Sequence, residues 1–147
     1  MKSRARIRYV ALIAALCLLS VTMSGCINQS GYEFKNGITP PKVVSDLMKN
    51  GTVILFITQN NCPACEQTRP MVAALQSQYN GTNVTFVNFN VDNNTTSRDV
   101  GKAYGVTATP TTVVLRKDGA AAIFVGPWEG GNFDSNTVKS AIEDARK

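Results

Sequence analysis

The chain contains no histidine. That excludes imidazole-based general acid–base and nucleophilic catalysis, and it removes the commonest ligand of catalytic zinc. Charge is sparse, at 17% of residues, and it is unevenly placed. Lys2, Arg4, Arg6 and Arg8 precede a long apolar run, and the other eleven basic residues face ten acidic ones, a net of +1. Four of the five net charges therefore belong to the first eight residues, and nothing in the nearly neutral remainder argues for nucleic acid. Internal repeats and low-complexity segments are absent. At 147 residues and 44% hydrophobic content there is one core's worth of apolar sequence, which predicts one globular domain.

The four cysteines are the next scarcity, and their positions divide them. Met1 to Arg8 is a positively charged n-region, Tyr9 to Met23 an apolar h-region, and Ser24-Gly25-Cys26 a small-residue stretch ending in cysteine. The apolar run is short of the roughly 20 residues that a spanning helix needs. Met23-Ser24-Gly25-Cys26 resembles the lipobox of prokaryotic lipoproteins, with Met in place of the usual Leu. That resemblance implies cleavage after residue 25 and lipidation of Cys26. The alternative is an uncleaved signal anchor. Either way the globular part is expected on the extracytoplasmic face of a prokaryotic membrane and tied to it. The expected division is residues 1–25 as signal peptide, 26–38 as tether and 39–147 as the folded domain. Cys17 lies inside the h-region and has no expected role in the mature protein.

What remains is Cys62-Pro63-Ala64-Cys65. A single C-x-x-C with no second pair and no histidine cannot complete a four-ligand zinc site, so no metal is expected. An inert structural bridge is the bland alternative, but so small a ring constrains the unfolded chain little. Val53 to Ile57 reads as a buried strand running through a polar turn into a helix that opens at the cysteines. Pro63 suits the first helical position, where its missing N–H costs nothing. Thiols three residues apart share about one turn, and Cys62 would sit at the positive end of the helix dipole, where thiolate is favoured. The residues themselves thus point to dithiol–disulfide exchange, with the Cys62–Cys65 disulfide as the redox group and no separate cofactor.

The rest of the chain supplies a frame. A helix is expected after Pro40-Pro41, carrying Val43, Val44, Leu47 and Met48 and stopping at Asn50-Gly51. The cysteine helix presents Met71, Val72, Leu75 and Tyr79. A second strand follows over Asn83 to Val91, then a polar loop from Asp92 to Thr96 and a short helix to about Tyr104. Strands over Thr111 to Leu115 and Ala120 to Val125 are joined at Lys117-Asp118-Gly119, a hairpin signal. A helix from Phe133 to Lys147 closes the chain, with Asp134 or Ser135 as N-cap. Right-handed crossover makes the first two strands parallel, and the hairpin adds an antiparallel edge. The tether is expected to end in a short strand around Tyr32-Glu33-Phe34. Trp128 has two readings, facing a groove or membrane, or packing on its own helix.

From about Pro40 to Lys147 the chain resembles the thioredoxin-fold family, an α/β class with a mixed central sheet and flanking helices. The marks are Cys62-Pro63-Ala64-Cys65; Pro70, matching the proline that kinks the redox helix; and Gly105-Val106-Thr107-Ala108-Thr109-Pro110-Thr111, matching the segment with the family's cis-proline. Gly126 matches a glycine beside the substrate groove. The resemblance implies Cys62 and Cys65 as catalytic, and Pro63, Ala64, Thr109, Pro110 and Gly126 as lining a site for a client strand. Partners would be protein thiols and disulfides, together with an electron donor or acceptor. The sequence departs from the family at Phe56 and Asn88, which stand where thioredoxins carry a buried acid and its lysine, and at Asn61, where an aromatic is usual. Without that acid, a water or a substrate group would have to assist Cys65, and the Cys62 thiolate escapes an opposing charge. No cation lies between the cysteines, which favours reductase or isomerase over oxidase. Two other functions fit the same residues, a redox-inert peptide-binding module and a dedicated thiol donor for one client such as a cytochrome.

Overall fold

The computed structural model describes residues 31–128 and 134–147. The expected signal peptide with Cys17, the lipidation candidate Cys26, residues 27–30 of the expected tether and the residues from Glu129 to Phe133 lie outside the described residues. Chain order is α1 (Lys42–Met48), β1 (Thr52–Thr58), α2 (Pro63–Gln78), β2 (Val84–Asn90), α3 (Thr95–Ala103), β3 (Thr111–Leu115), β4 (Ala121–Val125) and α4 (Ser135–Ala145). The four strands form one sheet in the order β2-β1-β3-β4. β1 runs parallel to β2 and antiparallel to β3, and β3 pairs antiparallel with β4. The crossover and the hairpin expected from the sequence account for this mixed arrangement.

β1 is the middle of the molecule because both its faces are covered. Every residue from Thr52 to Thr58 is buried. Its five apolar side chains, Val53 to Ile57, are each no more than 3% exposed, and burial of each contributes about 1.5–3 kcal/mol. The period of two sends Ile54 and Phe56 to one face, with Val72 and Leu75 of α2 and Val138, Ala141 and Ile142 of α4. It sends Val53, Leu55 and Ile57 to the other, with Val44 and Met48 of α1 and Val100 of α3.

The helix ends follow local chemistry. Asn94 and Asp134 cap α3 and α4 by accepting the N–H of Ser97 and Thr137, each at 2.8 Å. α4 therefore begins at Ser135, and the N-cap is the first of the two candidates. Gly51 turns the chain from α1 into β1 with φ +140°, and any Cβ there would run into the Asn83 carbonyl.

One expectation changes, and the two readings of Trp128 are decided in favour of inward packing. Tyr32 to Phe34 is not a strand; the segment makes a single antiparallel bridge to β4, at Lys35 and Ala121. Its aromatics pack on the core instead, with the Tyr32 and Phe124 rings 5.9 Å apart and the Tyr32 hydroxyl bonded to Asp144. Trp128 faces neither groove nor membrane. It is fully buried in the α2/α4 face of the core and donates its indole N–H to Thr112 Oγ1 at 2.9 Å.

Candidate active site

The buried strand β1 delivers the chain to the top of the sheet, and the Gln59-Asn60-Asn61 turn redirects it into α2. Side chains pin this turn to the end of β2. The Asn60 N–H donates to Asp92 Oδ2 at 2.8 Å, and Asn90 Nδ2 donates to Asn60 Oδ1 at 2.9 Å. Asn61, the residue before the first cysteine, has φ +51°, a left-handed conformation that asparagine tolerates better than a bulky side chain. That conformation gives a local reason for the departure from an aromatic at this position.

Cys62 is the N-cap of α2, with extended backbone, and Pro63 takes the first helical position. The Cys62 sulfur accepts the Cys65 N–H at 3.1 Å, so one of the helix's unpaired donors is aimed at the sulfur itself. Cys62 and Cys65 are joined by a disulfide of 2.08 Å, with their Cα atoms 5.2 Å apart. The two sulfurs are not equivalent, since Cys62 is 8% exposed and Cys65 only 1%. A reactant from solvent meets Cys62 first. Pro63 is exposed and Ala64 half-buried beside it.

The second half of the site comes from the start of β3. The Thr109-Pro110 peptide is cis. The Thr109 hydroxyl donates to Cys62 Sγ at 3.6 Å, which brings this segment against the disulfide. Among the described residues, the Thr109 backbone N–H and C=O make no hydrogen bond. They are free to pair with an incoming extended chain. Gly126, φ +109°, leaves β4 beside this segment and donates its N–H to the Pro110 carbonyl at 2.8 Å.

The structure thus gathers Cys62, Cys65, Pro63, Ala64, Thr109, Pro110 and Gly126 at one end of the sheet. The hydroxyl contact of Thr109 goes beyond the sequence reading, which gave the residue only a place in the lining of the site. Phe56 and Asn88 are Cα partners across β1 and β2. Phe56 is 3% exposed within the core, and Asn88 Oδ1 accepts the Thr58 hydroxyl at 2.9 Å. An apolar ring fills the place of the family's acid. Among the described residues no three Cys, Asp or Glu side chains gather as metal ligands would.

A model of the thioredoxin-like domain matches residues 42–135, more than half of the chain. Comparison with curated proteins gives no match. Among solved structures, the mitochondrial thioredoxin 3 of Saccharomyces cerevisiae in its oxidised form is similar at a TM-score of 0.57 and 24% identity, over 69% of this chain and 87% of that one. A Fasciola hepatica thioredoxin is similar at 0.56 and 22% identity, over 71% of this chain and 89% of that one. A mutant thioredoxin from Halobacterium salinarum is similar at 0.57 and 23%, over 74% and 88%. These likenesses concern the fold. Fold and paired cysteines together support thiol oxidoreductase chemistry in general, and the chain belongs to the thioredoxin-like domain family.

Proposed function

We propose that this protein is an extracytoplasmic, membrane-tethered thiol–disulfide oxidoreductase that exchanges its Cys62/Cys65 dithiol with protein disulfides, as a reductase or isomerase. The observation that carries the exchange chemistry is the bonded Cys62–Cys65 pair at a helix start, with the hydroxyl of Thr109 on the more exposed sulfur. The tether and the location rest on the charged, apolar and small-residue order of residues 1–26.

In the reducing direction the Cys62 thiolate attacks one sulfur of a client disulfide. A Cys62–client mixed disulfide forms and the other client sulfur leaves as thiolate. Cys65, deprotonated, attacks Cys62 Sγ and expels the first client sulfur. Two electrons pass to the client, two protons end on its thiols, and the protein is left with the Cys62–Cys65 disulfide. An external dithiol donor must then reduce the protein. The Cys65 N–H and the Thr109 hydroxyl stabilise charge on Cys62, and the Thr109 main chain aligns the client strand.

Insulin reduction by the purified domain, with Cys62→Ser as control, tests this reading. Turnover that vanishes in Cys62→Ser, and a mixed disulfide that accumulates in Cys65→Ser, are expected. A wild-type protein that leaves insulin intact while binding extended peptides would make it a binding module. The equilibrium of Cys62/Cys65 with glutathione then gives the direction of electron flow.

A further inference from the structure

A cavity of about 200 Å³ opens immediately beside the cysteines, between α3 and the segment leading to Pro110. Thr109 belongs to both places, since it lines this cavity and also touches the Cys62 sulfur. The floor is apolar and small, made by Val91, Gly101 and Val106. Gly101 keeps it open, because a Cβ there would press on Val91 at 3.2 Å. The charged lining consists of Arg98 and Lys102, with no carboxylate among the lining residues.

These two cations lie four residues apart on α3, so they share one helix face, where like charges repel. Lys102 has a loose partner in Asp99 at 4.0 Å. The Arg98 guanidinium makes no hydrogen bond or ion pair with any described residue. The other nearby acid, Asp92, is turned to the Asn60 N–H. A pair of repelling cations bordering an apolar hollow, one of them unpaired, is a field that a negative side chain would satisfy.

We infer that this cavity reads the client: Arg98 and Lys102 select extended polypeptides carrying an Asp or Glu within a few residues of the cysteine that meets Cys62. The inference rests on the exchange reading above and names its substrate class. An extended strand advances about 3.3 Å per residue, so a chain aligned on Thr109 brings a nearby side chain over the hollow. At roughly 30 Å³ per water the cavity has room for a carboxylate and its methylenes, with the stem on Val91 and Val106. The cations act by steering and orientation, and salt weakens both.

The test uses disulfide peptides identical except for Glu, Ser or Lys flanking the cysteine, reduced in single turnover by the dithiol form. The Glu peptide is expected to react roughly tenfold faster than the Lys peptide at low salt, converging at high salt. Arg98→Glu with Lys102→Glu should invert that order, while Lys139→Gln on α4 should keep it. Equal rates for Glu and Lys peptides, or a preference that survives the charge reversal, overturn the inference. A second measurement does not depend on exchange. Cysteine-free peptides are titrated into the oxidised protein, and amide shifts are followed by NMR. Saturable, salt-sensitive shifts at Arg98, Lys102 and Thr107 are expected with the acidic peptide and not with the basic one; their absence overturns the inference. Selective shifts without turnover of any peptide keep the acidic-chain site and remove the oxidoreductase.

Discussion

The Thr109 hydroxyl donates to the Cys62 sulfur across 3.6 Å, and the Cys65 N–H donates to the same atom at 3.1 Å. One donor comes from the helix that the cysteine begins and the other from the segment that leads into Pro110. Both are in place in the free protein. In the dithiol form both favour the thiolate over the thiol.

Thr109→Val keeps the shape of the side chain and deletes one donor. Hydrogen bonds to charged groups contribute about 1.5–3 kcal/mol, and a long contact to sulfur belongs at the low end. Alkylation of reduced Cys62 should titrate below the range of a free thiol in the wild type. In Thr109→Val the midpoint should rise by up to about one pH unit, and Thr109→Ser should restore it. A midpoint indifferent to both substitutions would mean that the hydroxyl does not act on the thiolate.

Phe56→Asp restores the residue type that thioredoxins carry at this place, and here it should fail. Phe56 is 3% exposed among Ile54, Val72, Phe124 and Trp128. Deleting the ring alone costs about 3–5 kcal/mol, and an unpaired carboxylate adds to that. Asn88→Lys on the neighbouring strand should recover part of that loss, since residues 56 and 88 are register partners on one face of the sheet and line one cavity. Thermal unfolding of the single and double variants measures this. A Phe56→Asp protein as stable as the wild type would show that the core tolerates a charge here.

Trp128 is the only tryptophan in the chain, so its fluorescence reports one environment. With full burial and its N–H on Thr112 Oγ1, emission should be blue-shifted and acrylamide should quench it only on unfolding. Trp128→Phe should cost about 1–2 kcal/mol, from one lost hydrogen bond and a smaller ring. Quenching in the folded state, or a spectral change on adding vesicles, would place the indole at the surface.

How far the sequence carried this picture depends on the reach of the interaction concerned. The strand-to-helix passage at Thr52 to Pro70 was legible because its signals are local: an unbroken apolar run, Pro63 at a helix start, cysteines one turn apart. The hairpin at Lys117-Asp118-Gly119 was legible for the same reason. Proximity of Thr109 to Cys62 came only through the family resemblance, because 47 residues separate them and no local pattern encodes the meeting. The Trp128–Thr112 bond was hidden in the same way. The extended segment at Tyr32 looked like a strand because aromatics favour strands, yet its rings serve the core and only Lys35 pairs with the sheet edge. The basic hollow at Arg98 and Lys102 needed coordinates, since two cations on a short helix look like an ordinary solvated face.

Tyr79 and Tyr104 give the domain an alkaline limit. Burial, joined by a hydrogen bond from its hydroxyl to Glu143 at 2.6 Å, pushes Tyr79 up to about 12. Burial alone pushes Tyr104 up to about 12, and its hydroxyl has no hydrogen-bond partner among the described residues. In the unfolded chain both ionise near 10. Because the folded values are the higher ones, the stability they carry is complete below pH about 10. It is lost as pH rises through about 12. The two residues differ in what removal does at neutral pH. Tyr79→Phe breaks a bond and should cost about 0.5–1.5 kcal/mol. Tyr104→Phe removes a buried hydroxyl that bonds to nothing and should be neutral or stabilise by about 1 kcal/mol. Urea unfolding at neutral and alkaline pH, read with phenolate absorbance, separates them. Tyr104→Phe should also soften the alkaline loss by deleting one of its two sources. A loss as steep as that of the wild type would show that the Tyr104 hydroxyl is already satisfied in solution.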